Sequence, residues 1–147
     1  MKKQILLKSV LILLPTLTVG LALAGDSVTV FDTVTGNLEY YSYLDLLPVA
    51  NLQMVTPLAA ILALVSGILA GVYLAFGKKG CLKAIMGVSF VSSVLAVIPI
   101  LLRETVLVIP NVGLPIFMLL QCLLAYYYLK RPETQERIEA YNGLRLK

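Results

Sequence analysis

Hydrophobic and polar positions along this chain fall into long blocks, with no short-period alternation over most of it. Uncharged apolar runs are separated by brief polar or charged interruptions. The clearest run is Leu58 to Phe76, in which Ala59, Ala63, Gly67, Gly71 and Ala75 recur every four residues. As a helix rising about 1.5 Å per residue it reaches roughly 28 Å, close to the hydrocarbon thickness of a bilayer. Residues four apart share a helix face, so this row predicts a smooth side on which another helix can approach closely, centred on Gly67-x-x-x-Gly71.

Three further blocks read in the same way. Membrane spans are expected at about 5–24, 55–77, 81–102 and 108–129. The first follows Met1-Lys2-Lys3, and its Lys8 can snorkel back to the headgroups. Its Thr16, Gly20 and Ala24 repeat the small-residue spacing of the second span. The same segment also fits a cleavable signal peptide, with a basic start, an apolar core and an Ala22-Leu23-Ala24 ending. Pro57 sits either in the first turn of the second helix or, if the helix begins near Pro48, at a kink. The third span holds Ser89, Ser92, Ser93 and Pro99, and serines in lipid bond to their own helix or to a neighbour. The fourth begins between Val106 and Gly113, contains Asn111, Pro115 and Gln121, and exits through Tyr126-Tyr127-Tyr128 into Lys130-Arg131.

The loop 25–46 differs in kind. Val28-Thr29-Val30-Phe31 and Leu38-Glu39-Tyr40-Tyr41-Ser42-Tyr43 are rich in β-branched and aromatic residues, and Asp32-Thr33-Val34-Thr35-Gly36-Asn37 between them is turn chemistry. A β-hairpin is predicted, with Asp32 bonding the backbone of its own turn and Gly36 or Asn37 supplying a positive φ. A lone hairpin is marginal in water, so it must rest on something, with Phe31, Tyr40, Tyr41 and Tyr43 either on the outer helix ends or at the headgroup level. The fold class expected is therefore an all-α membrane protein, a four-transmembrane-helix bundle with a small extracytoplasmic β-hairpin and a short cytoplasmic C-terminal tail, in a single domain over 1–147.

Charge sets the orientation. Lys2, Lys3, Lys8, Lys78, Lys79, Lys83, Lys130, Arg131, Arg137, Arg145 and Lys147 fall on one side and Arg103 alone on the other. The positive-inside rule then places both termini in the cytoplasm, as an even number of spans requires. The tail 130–147 carries the signals of a short solvated helix, with Pro132, Glu133 and Glu136 at its start and Gly143 past its end. Outside lie Asp26, Asp32, Glu39, Asp45 and Glu104. An outer polar cluster is expected from Asp45, Asn51, Gln53, Thr56, Arg103, Glu104 and Asn111, with Arg103 either pairing Asp45 or Glu104 and pinning the hairpin over the bundle or standing solvated at the headgroup level.

Composition removes several chemistries. Hydrophobic residues make up 59% and charged residues 14%, too apolar a balance for a soluble domain of this size. No ionisable side chain stands at the middle of a span, where a proton relay would need one. Histidine is absent and the two cysteines, Cys81 and Cys122, form no C-x-x-C pair, so neither a metal site nor an activated nucleophile is expected and the thiols read as reduced and structural. No catalytic, cofactor-binding or nucleic-acid-binding role is anticipated.

The layout of four spans, a long β-prone first outer loop and a short second one resembles that of claudin-like tetraspan proteins. The paired loop cysteines and tryptophan motif of claudins and the Cys-Cys-Gly of tetraspanins are missing, so no residue role is carried over. Small multidrug exporters share the size, yet the acid of their first helix has no counterpart between Leu11 and Ala24. The expectation is a small non-enzymatic integral membrane protein of a bacterial cytoplasmic membrane. Lipid surrounds it, and a membrane-protein partner or a homo-oligomer contacts it as an accessory or assembly subunit. The alternative is an oligomeric channel or transporter, with Asn51, Gln53, Thr56, Ser89, Ser92, Ser93, Asn111 and Gln121 along a polar path.

Overall fold

The computed structural model describes residues 2–46, 53–101 and 106–131. Four helices dominate the described residues: α1 (Lys2–Leu23), α2 (Val55–Phe76), α3 (Lys79–Leu101) and α4 (Gly113–Lys130). Three strands, β1 (Val28–Asp32), β2 (Leu38–Tyr41) and β3 (Val106–Pro110), complete them. Helices α2, α3 and α4 are long and apolar enough to cross a membrane, and α1 contributes the shorter apolar stretch Ser9–Leu23.

Each helix packs on the next in sequence, and α1 closes the ring against α4. Successive helices run antiparallel, because Ala22, Ala59, Ala96 and Leu114 bring the end of α1, the start of α2, the end of α3 and the start of α4 into one apolar cluster. A second cluster at the other end joins Leu11, Ala70, Tyr73, Leu82, Ile85, Ala125 and Tyr128. Local chemistry fixes the limits of α2. Pro57 lies in its first turn, where the missing N–H has no helical partner to lose, so the kinked alternative is not the one adopted. Gly77 ends it in the left-handed region at φ +64°, its N–H donating to the Tyr73 carbonyl at 2.7 Å. The Lys78-Lys79 turn and Lys130-Arg131 thus lie at one end of the bundle, and the acidic loop of Asp26, Asp32, Glu39 and Asp45 at the other.

The hairpin forms over the turn that the sequence indicates. The Asp32 carboxylate accepts from the Val34 and Thr35 N–H groups at 2.8 and 3.3 Å, and Gly36 supplies the positive φ at +72°. These backbone donors hold the Asp32 carboxyl below the usual carboxylate range.

Two expectations need correction here. The sheet has three strands in the order β2-β1-β3, with Phe31 opposite Leu38 on one side and Leu107 on the other. Residues 108–110, assigned above to the fourth span, belong to β3, and α4 starts at Gly113. The all-α class accordingly gives way to a mostly helical fold with a small antiparallel sheet. Val106-Leu107-Val108-Ile109 is a short apolar run that hydropathy cannot separate from the start of a helix; β-branching and the following Pro110-Asn111 are the signals that favour a strand. Pro110 is tolerated because it ends an edge strand.

Candidate interaction surface and buried polar layer

The inner face of the sheet is keyed into the bundle. Val28, Val30 and Val108 are buried among Ala59, Ala60, Ala63 and Met118. Tyr43, just past β2, is fully buried; its hydroxyl donates to the Asn111 carbonyl at 2.9 Å and its N–H to the Ala22 carbonyl at 3.1 Å. Burial pushes the Tyr43 phenol well above the usual tyrosine range, so it stays a neutral donor. Asn111 donates its N–H to the Ser27 carbonyl at 2.7 Å, and its side-chain oxygen accepts from Gly113 N–H at 2.8 Å at the start of α4. The Ser27 hydroxyl lies on the Leu21 and Ala24 carbonyls at the end of α1. One continuous set of bonds therefore ties α1, the sheet and α4 together.

The outer face is of a different kind. Successive strand residues point to opposite sides and paired residues share a side, so Thr29, Phe31, Leu38, Tyr40, Leu107 and Ile109 face away from Val28 and Val30. Leu38, Tyr40 and Ile109 are 56%, 60% and 55% exposed. The charged residues of the described segment that carries β1 and β2 are all acids, Asp26, Asp32, Glu39 and Asp45. The Tyr41 hydroxyl is held on the Glu39 carboxylate, and that bond, with burial second, raises its phenol pKa.

Between the two apolar clusters lies a buried polar layer. Ser66, Ser89, Ser92 and Gln121 are fully buried, and Ser93 nearly so. Ser92 donates to the Ala59 carbonyl at 2.8 Å and Ser93 to the Pro115 carbonyl at 3.0 Å, so α3 is bonded to both its neighbours. About one turn deeper, Ser66 spans the ring diagonally: its hydroxyl lies 2.7 Å from the Ala63 carbonyl and 3.0 Å from Gln121 Oε1. One hydroxyl proton serves one acceptor at a time. Gln121 Nε2 and Ser89 Oγ are buried without a partner among the described residues. This layer bonds helix to helix. The 250 Å³ groove between α1 and α2, by contrast, is lined by Val19, Leu23, Ile61 and Leu64 and closed by Leu44, with no polar side chain in it.

The predicted packing row is placed unevenly. Ala59 and Ala63 are buried, Gly67 is half-buried against Pro15 of α1, Gly71 is half-buried with open space beyond it, and Ala75 is exposed. A strict four-residue row cannot stay on one face, since each step turns about 40° and five positions wind through about 160°. The buried face of α2 instead continues through Ser66, Ala70 and Tyr73. At Gly67 the close approach is real: a Cβ there would stand 3.3 Å from Pro15 Cβ.

Of the outer polar cluster, Asn51, Arg103 and Glu104 lie outside the described residues, and with them the proposed Arg103 ion pairs. Asp45 is exposed and accepts from the Ser42 N–H at 2.7 Å, closing its own turn. Gln53 is exposed, and Thr56 is buried with its hydroxyl unpartnered among the described residues. Asn111 is the strut between sheet and α4 described above. The structure thus brings Asn111 to Tyr43 and Ser27 and not to Asp45 or Gln53 by any hydrogen bond. Pattern does not single out Ser66 or Pro15, and it groups Tyr43 with Phe31, Tyr40 and Tyr41. A lone hydroxyl at the centre of an apolar run was the available signal for Ser66, and none distinguished Tyr43 from its neighbouring tyrosines.

No family model matches this chain, and no curated protein or solved structure shows significant similarity to it. Among the described residues no group of His, Cys, Asp and Glu is placed to hold a metal ion.

Proposed function

We propose that the protein is a small non-enzymatic integral membrane protein, with four helical crossings and both termini on the basic, cytoplasmic side. It acts by association, as an accessory or assembly subunit, in the cytoplasmic membrane of a bacterium. The observation that carries this reading is the outer sheet face, where Phe31, Leu38, Tyr40, Leu107 and Ile109 form an apolar patch on a hydrogen-bonded platform. Contiguous exposed apolar surface rimmed by polar groups marks interaction sites. The platform is held by the Tyr43 N–H donating to the Ala22 carbonyl of α1 and by the Gly113 N–H of α4 donating to the Asn111 side chain, which lowers the ordering cost of binding.

Purification from native membranes in mild detergent, with cross-linking and mass spectrometry, tests the proposal. A stoichiometric complex lost on Ile109→Asp is expected; a chain recovered alone and monomeric would refute it. The unpartnered Ser89 Oγ and Gln121 Nε2 support a second reading, an oligomeric channel or transporter with its polar path through the layer. Modification of Ser89→Cys by a water-soluble thiol reagent in intact cells would favour that reading over the first.

A further inference from the structure

Resting on the association reading, the geometry points to the mode and the partner: we propose that the open edge of β2 takes an extended basic segment of a partner protein as a fourth strand. The hydrogen-bond alternation identifies the edge. Asp32 N–H donates to the Asn37 carbonyl at 3.0 Å, which makes that pair a bonded one in the antiparallel ladder. Counting along the register, Val30 with Glu39 and Val28 with Tyr41 are the next bonded pairs, while Phe31 with Leu38 and Thr29 with Tyr40 are not. The N–H and C=O groups of Leu38 and Tyr40 therefore point away from β1. Among the described residues β2 has no second neighbour. The opposite edge is less suited, because β3 packs beside α3 and ends in Pro110, which has no N–H.

The side chains define what can pair there. A strand added to β2 meets Leu38 and Tyr40 on the outer face and Glu39 on the other. In the register that bonds Leu38 to Tyr40 of a second copy, Glu39 stands directly opposite Glu39, at the short cross-strand separation where like charges repel. Shifted registers pair fewer residues of a four-residue strand. A segment that alternates apolar and basic residues reverses that repulsion, placing Lys or Arg opposite Glu39 and apolar side chains beside Leu38 and Tyr40. Asp26, Asp32 and Asp45 around the sheet add attraction of the same sign. Main-chain bonds supply affinity in strand addition and alternate side chains supply specificity.

The test uses the full chain in phosphatidylcholine nanodiscs and a fluorescent peptide of alternating lysine and valine as the probe, with empty discs, an alternating glutamate and valine peptide, and Lys/Val peptides N-methylated on one or the other set of alternate amides. Saturable binding of the Lys/Val peptide to loaded discs only, lost by methylation of one amide set and kept with the other, is expected. Tyr40→Pro removes an edge donor without touching the β1 ladder and should abolish binding, while protease protection of the hairpin persists. Glu39→Lys should weaken the Lys/Val peptide and strengthen the Glu/Val peptide, each by about tenfold. Binding indifferent to which amides are methylated, or equal in Tyr40→Pro discs, overturns strand addition. Cross-linking of two copies through β2 overturns it in favour of self-pairing. Either result leaves the association reading to the purification experiment, which is independent of the probe.

Discussion

The two halves of the bundle solve the same packing problem by different means. Towards the basic end the helices fill their own interior with large side chains, Leu11, Tyr73, Leu82, Ile85 and Tyr128. Tyr73 and Tyr128 meet there with ring centroids 6.4 Å apart, and Arg131 lies 5.9 Å from the centre of the Tyr128 ring. Towards the acidic end α1, α2 and α3 bury alanines, Ala22, Ala59, Ala60, Ala63 and Ala96, and Val28, Val30, Tyr43 and Val108 of the sheet and its loops fill the space beside Leu114 and Met118 of α4. The buried cluster of the basic-end half is made of helix residues alone. The acidic-end half includes the sheet, so the loop expected to rest on the bundle is part of its core.

Substitutions can break this contrast. The largest effect is expected for Tyr43→Ala, which empties a fully buried site and removes the bond to Asn111; about 3–5 kcal/mol should be lost. Hydrogen exchange should then rise at the acidic-end helix termini and the sheet, while the Tyr73 region stays protected. Tyr73→Ala should show the reverse pattern. Next, Gly67→Leu forces α1 from α2 at Pro15, and overpacking of this kind costs about 1–3 kcal/mol, measured as a shift in unfolding in mixed micelles. Ser92→Ala removes one interhelical bond to Ala59 and should cost about 0.5–1.5 kcal/mol by the same measurement.

Two smaller effects sharpen the contrast at its boundaries. Gln121→Leu replaces an amide whose Nε2 has no described partner, leaves Ser66 its bond to Ala63, and should change stability by less than about 1 kcal/mol. A loss several times larger would mean that the polar layer holds the halves in register. At the sheet's tip, the Asp32 carboxyl has its pKa lowered in the fold. The hairpin's share of stability from it is present above the unfolded carboxylate range and lost as pH falls through the folded value. Tip protection against protease should fall with acid in the native chain and become pH-independent in Asp32→Asn.

The legible parts of this fold are those with a local cause. Gly77 and the Asp32–Gly36 turn act within a few residues and are where the pattern indicates, while Pro57 fits two helix starts in the sequence and the structure takes the one that puts it in the first turn. The charge blocks likewise separate the two ends. The third strand was hidden because β3 pairs with residues far away in sequence, and a run such as Val106–Ile109 has no property that names its partner. The packing row on α2 illustrates a second limit. Ala59 and Ala63 lie inside and Ala75 outside because a spacing of four drifts around a helix of 3.6 residues per turn. The interhelical bonds of Ser92 and Ser93 follow the rule for hydroxyls in apolar helices, but which carbonyl each would reach depends on helix register, which is not written locally.

The β1–β3 ladder has one more consequence. It joins the two ends of the chain's architecture: β1 follows α1, β3 precedes α4, and the Gly77-Lys78 turn lies between the pairs of helices. Severed at that turn, each fragment would keep a helical hairpin and one side of a complementary clasp, so co-expressed pieces should find each other and rebuild the whole, provided the clasp can close.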